Sequence, residues 1–207
     1  MNHTRSYLIL VIALALIVAT YHWAARTRIY NLDSTGANII AFGDSLVRGV
    51  GSTPDNDLFS LLSERIGQPI LNMGVSGDTT ADAIARLDTV LAADPRLVII
   101  ILGGNDYLKR VPRDITFENL GTIVNAIQER GAAVLILGVR GGLIRDTYDD
   151  QFKKFAREHH TGFVSNILDG LIGDTKYMSD TIHPNDLGYA KIADRVEPVL
   201  REMLGGR

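Results

Sequence analysis

Short apolar runs alternate with amphipathic stretches along most of the chain, beginning near residue 38. The runs are continuous and rich in Ile, Val and Leu, which is typical of strands that are buried on both faces of a parallel sheet. The predicted strands are Asn38–Phe42, Pro69–Met73, Leu97–Leu102, Ala133–Leu137 and Gly162–Val164. This alternation predicts an α/β protein, a three-layer α/β/α sandwich in which helices cover both faces of a five-stranded parallel sheet.

Helices are predicted between the strands because apolar residues recur there three or four positions apart. The apolar stripe of a helix is the set of such residues on one of its faces. Three stripes are Leu58, Leu61, Leu62 and Ile66 in the first predicted helix, Ile84, Leu87, Val90 and Leu91 in the second, and Leu120, Ile123, Val124 and Ile127 in the third. Two further helices are predicted at Tyr148–His159 and Asn185–Leu204. No second linker or repeat interrupts this pattern, so residues 38–207 are predicted to form one domain.

The first 28 residues form a separate segment, followed by a predicted linker over residues 29–37. Residues 6–25 carry no formal charge, and as a helix they would extend about 30 Å, the thickness of a bilayer core. An uncleaved membrane anchor in the form of an apolar helix is the favoured interpretation. A cleaved signal peptide is the alternative, although a cut after Ala25 would place the bulky Trp23 three residues before the cut. A buried core helix is the third possibility.

Charge and composition exclude several functions. The 21 basic and 24 acidic residues give a net charge of −3, and Arg5, Arg26 and Arg28 all lie in the N-terminal segment, which contains no acidic residue. The remainder is therefore more acidic than the whole and would repel nucleic acid. The chain has no cysteine. Disulfides, thiolate zinc sites and a cysteine nucleophile are thereby excluded.

Polar residues follow three of the predicted strands and precede the last predicted helix. In open parallel sheets, ligands bind beyond the carboxyl ends of the strands, so these residues are expected to share one site. The four blocks are Gly43-Asp44-Ser45-Leu46, Asn72-Met73-Gly74-Val75-Ser76-Gly77, Gly103-Gly104-Asn105-Asp106 and Asp180-Thr181-Ile182-His183-Pro184.

These blocks contain the parts of a serine hydrolase. A serine hydroxyl such as that of Ser45 becomes a nucleophile when a neighbouring base takes its proton. His183 is the expected base, because the other histidines (His3, His22, His159 and His160) lie in the N-terminal segment or at an apparently solvent-facing helix end. Asp180 would orient His183 across a tight turn. The N–H groups of Ser45 and Gly74 and the side-chain amide of Asn105 could stabilise an oxyanion.

The four blocks resemble those of the SGNH hydrolases, the GDSL lipase/esterase family, and are most similar to those of bacterial thioesterase I/lysophospholipase L1-type and arylesterase enzymes. The resemblance covers about residues 38–200. It implies a flavodoxin-like fold, catalysis by Ser45, Asp180 and His183, and an oxyanion hole made by Ser45, Gly74 and Asn105. It further implies ester or thioester hydrolysis without a metal or cofactor, and a catalytic domain on the extracytoplasmic, periplasmic side of the membrane.

Other interpretations of the same residues remain open. Ser76 is a rival nucleophile, although Gly74-Val75-Ser76-Gly77-Asp78 lacks the last glycine of the G-x-S-x-G elbow. Asp106 is interpreted as a brace for the Asn105 loop. A polysaccharide or peptidoglycan O-acetylesterase would use the same triad, and a membrane-tethered binding protein would carry a vestigial one. A metal-dependent phosphoesterase would use Asp44, Asp180 and His183 as ligands.

The walls of the substrate pocket are expected to come from the loops at Tyr107–Ile115 and Arg140–Asp149. Their apolar side chains either hold an acyl chain or only cover the edge of the core. The candidate substrate-binding residues are Leu108, Val111, Leu143 and Ile144. The sequence leaves the natural acyl donor and the oligomeric state open.

Overall fold

The computed structural model describes residues 28–139 and 147–205, together with Tyr7, Ile9 and residues 11–14. Within these residues, five strands form one parallel sheet in the order β2-β1-β3-β4-β5. The strands are β1 Asn38–Gly43, β2 Ile70–Gly74, β3 Pro95–Ile101, β4 Ala133–Leu137 and β5 Gly162–Val164. The predicted five-stranded parallel sheet is confirmed, with shifts of one or two residues at the ends of the first three strands.

Helices cover both faces of this sheet. They are α1 Ser45–Arg48, α2 Leu58–Ile66, α3 Thr80–Ala85, α4 Leu87–Ala92, α5 Gly104–Leu108, α6 Arg113–Glu129, α7 Thr147–Glu158 and α8 Asp186–Met203. Helix α2 packs against α8, whereas α3 and α4 pack against α6. Because crossovers between parallel strands are right-handed, we infer that the first pair covers one face of the sheet and the second group covers the other. The predicted α/β fold is therefore confirmed, and this grouping of helices agrees with the predicted three-layer α/β/α sandwich.

One predicted helix is interrupted. The stripe that contains Ile84 and Leu87 was expected to lie on a single helix, but the chain leaves helical geometry at Arg86, where φ is −121° and ψ is 13°. The break separates α3 from α4. The apolar spacing continues across it because both short helices face the same core, in which Ala83, Leu87 and Val90 are buried.

The N-terminal prediction is not supported. The expected apolar helix lies outside the described residues except for Tyr7, Ile9 and residues 11–14. In the part of the chain that the structure covers, no helix combines the length and the apolar character needed to cross a bilayer.

The predicted linker is docked on the domain at the amino ends of the strands. The Tyr30 N–H donates to the His160 carbonyl at 3.0 Å, and the two rings stack with centroids 4.2 Å apart. The Asn31 amide donates to the carbonyls of Gln128 and Ala132. His160 and its neighbour His159 are half-buried. The expectation that both face solvent holds only in part, because the linker packs on His160 and the Phe155 ring stacks on His159.

Candidate active site

The site lies where the strand order reverses. In the order β2-β1-β3, the chain passes from β1 outward to β2 and then returns beyond β1 to β3, so the two connections leave β1 in opposite directions along the sheet. This leaves a crevice beyond the carboxyl ends of the strands, the usual binding place in such sheets. Ser45 begins α1 directly after β1, and Asn105 lies in the first turn of α5 after β3. The expected convergence of the strand ends is therefore observed.

Ser45 and His183 are joined by a direct hydrogen bond. The Nε2 atom of His183 lies 2.9 Å from Oγ of Ser45. Both residues are half-buried, so the pair remains reachable from solvent. Ser76, the rival nucleophile, has no such bond to an imidazole among the described residues.

A tight turn places the carboxylate of Asp180 against the same imidazole. Asp180 Oδ2 lies 2.7 Å from His183 Nδ1, and Oδ1 accepts the backbone N–H groups of Ile182 and His183 at 2.8 Å each. The turn is closed by Ser179, whose N–H donates to the His183 carbonyl at 2.9 Å. One carboxylate thus fixes both the backbone and the ring of His183.

These bonds also fix the charge of Asp180. The N–H of Ile182, then the His183 side chain and N–H, lower the pKa of Asp180 from 3.8 to about 2. The group is therefore an acceptor at neutral pH. Because a carboxylate accepts hydrogen bonds only, Nδ1 of His183 carries a proton and Nε2 of a neutral ring is left to accept the Ser45 hydroxyl.

Asp44 is a buried carboxyl beside the nucleophile. It is 3% exposed and caps α1, where Oδ1 accepts the Leu46 N–H at 3.0 Å. Burial raises the pKa of Asp44 to about 7, against the lowering effect of the Leu46 hydrogen bond. Its local role is thus to cap helix α1.

The side chain of Asn105 is held from two sides. Its Nδ2 atom donates to the Asp78 carbonyl at 2.9 Å and lies 3.3 Å from Asp44 Oδ2. The following residue, Asp106, is fully buried and accepts the N–H and hydroxyl of Thr80 at 2.9 and 2.5 Å. These bonds agree with the interpretation of Asp106 as a brace.

The Gly74 amide, a predicted oxyanion donor, already has a partner. Its N–H donates to Asn72 Oδ1 at 3.0 Å, while Asn72 Nδ2 donates to the Val47 carbonyl at 2.6 Å. A Cβ atom at Gly74 would lie 2.3 Å from Arg48 N, so the glycine permits close contact between β2 and α1. Asn72 belongs to the second sequence block, but its role could not be predicted because a side chain that binds its own strand end leaves no spacing pattern.

Unpaired amides lie nearby. The Asp78 N–H closes a turn on the Val75 carbonyl, and Gly77 occupies this turn with φ +88°. Among the described residues around the site, the N–H groups of Ser45, Ser76 and Gly77 have no acceptor. The amide of Ser45 is unpaired because it opens a helix, where the first N–H groups have no intrahelical partner.

The predicted substrate-binding residues are placed only in part. Leu108 is 55% exposed and Val111 is half-buried. Leu143 and Ile144 lie outside the described residues. Exposed apolar side chains also flank the site residues in sequence: Val75, Tyr107 and Ile182 are each 40 to 45% exposed.

The metal-site alternative receives no geometric support. Within the described ranges, no group of three or more His, Asp or Glu side chains could hold a metal ion. Asp44 is directed to the Leu46 amide and to Asn105, and Asp180 to the His183 turn. The three ligands that a phosphoesterase would need are thus engaged in other bonds.

Characterised proteins resemble this chain over most of its length. Esterase TesA of Pseudomonas aeruginosa is 29% identical over 203 residues, which cover 92% of this chain and 96% of that protein. An arylesterase of Vibrio mimicus is 30% identical, with 76% of this chain and 85% of the relative covered. Thioesterase 1/protease 1/lysophospholipase L1 of Escherichia coli is 26% identical, with 80% and 84% covered.

Comparison of the fold with solved structures also identifies an esterase of this kind. A crystal structure of TesA superimposes with a TM-score of 0.74 at 27% sequence identity, covering 81% of this chain and all of that one. The model of the GDSL-like lipase/acylhydrolase family matches residues 41–191, which include every block of the site. The predicted family resemblance and the predicted class of serine hydrolase are confirmed. The chain belongs to the GDSL-like lipase/acylhydrolase family.

Proposed function

We propose that this protein is a serine esterase that hydrolyses carboxylic esters and thioesters through an acyl-enzyme on Ser45. One observation carries the proposal: an unbroken series of hydrogen bonds runs from Asp180 through His183 to the Ser45 hydroxyl. This arrangement supplies a nucleophile, a base and a group that orients the base, which acyl transfer requires.

In the first step, Ser45 Oγ attacks the carbonyl carbon of the substrate, and Nε2 of His183 takes the hydroxyl proton. The imidazolium that forms lies against the ionised Asp180 carboxylate. When the tetrahedral intermediate collapses, His183 gives this proton to the leaving alcohol or thiol. Water then repeats the sequence on the acyl-enzyme and releases the carboxylic acid.

The oxyanion of the intermediate would be stabilised by three donors. The Ser45 N–H is unpaired. The Asn105 Nδ2 donates to the Asp78 carbonyl at 2.9 Å, but its second bond, to Asp44 Oδ2 at 3.3 Å, is long, and an oxyanion could replace it. The third is an amide of the loop after β2. Gly74 was predicted, but its N–H is bonded to Asn72. We therefore propose the unpaired N–H of Gly77 for this position, because Gly77 directly precedes Asp78, whose carbonyl binds the Asn105 amide. A structure of a phosphonate adduct tests this, since the phosphoryl oxygen would lie within about 3.1 Å of the true donor.

The acyl group of the substrate is proposed to be apolar. Leu108 and Tyr107 follow Asn105, Val75 lies in the loop after β2, and Ile182 precedes His183; all four are exposed. Apolar side chains at the rim of a site favour ligands that cover them. The names of the relatives, esterase, arylesterase and thioesterase/lysophospholipase, are consistent with aryl or acyl substrates.

A chain-length series on purified protein tests this function. The kcat/KM for p-nitrophenyl acetate, butyrate, octanoate and palmitate, and for the matching acyl thioesters, should be highest for medium or long chains. Activity on acetate alone would instead indicate the O-acetylesterase. If the protein neither hydrolyses these substrates nor is labelled by a fluorophosphonate, the result would favour the alternative in which it is a binding protein with a vestigial site. Ser45→Ala is the control for contaminating esterases.

The location of the protein in the cell is a further part of the proposal. Residues 6–25 would tether the catalytic domain to the outer side of the membrane. Tyr30 and Asn31 are docked at the amino ends of the strands, so the active site would face away from the bilayer. Fractionation of membranes and N-terminal sequencing of the mature protein test this: recovery in the soluble fraction with a new N-terminus would indicate the cleaved signal.

A further inference from the structure

Arg86, at the break between α3 and α4, binds three separate segments with one side chain. Its Nε atom lies 2.6 Å from Asp78 Oδ2. Nη1 donates to the Met73 carbonyl at 2.9 Å, and Nη2 donates to the Gly43 carbonyl at 2.8 Å. The guanidinium plane also lies over the Phe42 ring, with Cζ 4.4 Å from the ring centroid. Every nitrogen of the group therefore has a partner.

Each of these segments leads directly to a part of the site. Gly43 ends β1 and is separated from Ser45 by one residue, Asp44. Met73 is the second-last residue of β2. It is followed by Gly74, which ends the strand, and then by the loop that contains Gly77. Asp78 binds the Asn105 amide through its own carbonyl at 2.9 Å. The segments that carry the three proposed oxyanion donors are therefore connected through one guanidinium.

The chemistry of arginine suits this task. Its five N–H donors point in fixed directions within a plane, so the groups that it binds are held at fixed mutual positions. Charged donors and acceptors also form stronger hydrogen bonds than neutral ones. The side chains of Arg86 and Asp78 are 21% and 11% exposed, which limits screening by water. A lysine has a single ammonium group and cannot reproduce three bonds in one plane.

We propose that Arg86 is the residue that positions the oxyanion hole. It does not touch the reacting atoms; it acts by fixing the ends of β1 and β2 and the loop at Asp78. An oxyanion hole acts on the transition state, whereas substrate binding depends on the exposed apolar rim. Loss of Arg86 should therefore lower kcat and leave KM nearly unchanged. It should not alter the pH profile, since its bonds do not include the Asp180–His183 pair.

The test compares Arg86→Met and Arg86→Lys with a matched control, Arg65→Met. Arg65 also forms ion pairs, with Asp194 and Glu197, and its side chain is 28% exposed, but it connects α2 to α8 outside the site. Initial rates on p-nitrophenyl butyrate are divided by the concentration of active sites, titrated to completion with a fluorophosphonate. This normalisation removes any loss that is due only to unfolded protein.

For Arg86→Met, we expect kcat per active site to fall about 10- to 100-fold, the usual effect of a misplaced oxyanion donor. KM should stay within about threefold, the pH midpoint should be unchanged, and Arg86→Lys should lie between Arg86→Met and wild type. Arg65→Met should match wild type. If Arg86→Met does not fold, Arg86→Lys is assessed in the same way.

A kcat for the Arg86 variants equal to that of Arg65→Met would overturn the inference. A loss expressed in KM, or a shifted pH midpoint, would overturn it as well, since Arg86 would then act on substrate binding or on His183. The inference rests on the proposed esterase activity. A wild-type protein that hydrolyses no ester would reject that function too, whereas an active wild type with unimpaired Arg86 variants would reject only the role of Arg86.

Discussion

The imidazole of His183 lies 2.9 Å from the hydroxyl of Ser45, although the two residues are 138 positions apart in the chain. The parallel sheet explains this contact. Ser45 stands at the carboxyl end of β1, and His183 stands in a turn whose backbone is held by Asp180 just before α8. Each residue is positioned by local bonds, and the sheet brings the two together.

The first prediction concerns Asp180. In Asp180→Asn, the side-chain carbonyl can still accept the N–H groups of Ile182 and His183, but the amide would donate toward Nδ1 and favour the wrong tautomer of His183. We expect kcat to fall about 10³- to 10⁴-fold. The exposed Asp174, which accepts the Lys176 N–H in a similar turn, provides the control Asp174→Asn. Equal ester hydrolysis by both variants would show that Asp180 does not orient the base.

The second prediction concerns stability and pH. The pKa of Asp44 is about 7 in the folded protein, above the ordinary 3.8, because the group is buried. Between these pH values the folded state holds a proton that the unfolded state has lost, so stability falls as pH rises through this window. Asp44→Asn lacks this proton. The free energy of unfolding of Asp44→Asn minus that of wild type should therefore increase by about 1–3 kcal/mol from pH 5 to pH 8.

Urea unfolding at several pH values measures this difference. Both proteins share every other titrating group, so the comparison isolates Asp44. A difference that stays constant from pH 5 to pH 8 would mean that Asp44 is ionised throughout this range.

The third prediction concerns Asp106, the buried carboxylate that is interpreted as a brace for the Asn105 loop. In Asp106→Ala, the Thr80 N–H and hydroxyl lose their acceptor in a place that water does not reach. An unsatisfied buried donor costs about 1–3 kcal/mol, so the free energy of unfolding should fall by at least that amount. The exposed Asp169 supplies the control, since Asp169→Ala should change stability by less than about 0.5 kcal/mol. Equal urea midpoints for the two variants would contradict the assignment.

The fourth prediction concerns the apolar rim. Leu108→Ser replaces a 55% exposed side chain beside the site with a polar one. If Leu108 covers the acyl chain, the ratio of kcat/KM for octanoate to that for acetate should fall roughly 3- to 10-fold, as expected for the loss of about 1 kcal/mol of apolar contact. Leu32, 48% exposed in the segment that precedes β1, gives the control Leu32→Ser. An unchanged ratio in Leu108→Ser would place the acyl chain elsewhere.

Elements with a strong local pattern could be predicted from the sequence. Strands β4 and β5 have the predicted bounds, because they are short apolar runs between turn residues. Ser45, Asp180 and His183 could be selected because each follows a strand or precedes the last helix, and parallel topology brings such positions together.

Features that depend on tertiary contacts could not be predicted. The helix break at Arg86 leaves the apolar spacing intact, and the Arg86 side chain binds Gly43, Met73 and Asp78, which no local pattern connects to it. The engagement of the Gly74 amide by Asn72 is likewise a side-chain conformation that no spacing encodes. The docking of Tyr30 on His160 joins residues that are distant in sequence and carry no shared motif.

The most direct test of the central claim, acyl transfer through Ser45, is mass spectrometry of the protein after reaction with a fluorophosphonate probe. A single adduct on the peptide that contains Ser45 is expected, with labelling and ester hydrolysis both abolished in Ser45→Ala. An adduct on another residue such as Ser76, or hydrolysis by Ser45→Ala at the wild-type rate, would contradict it.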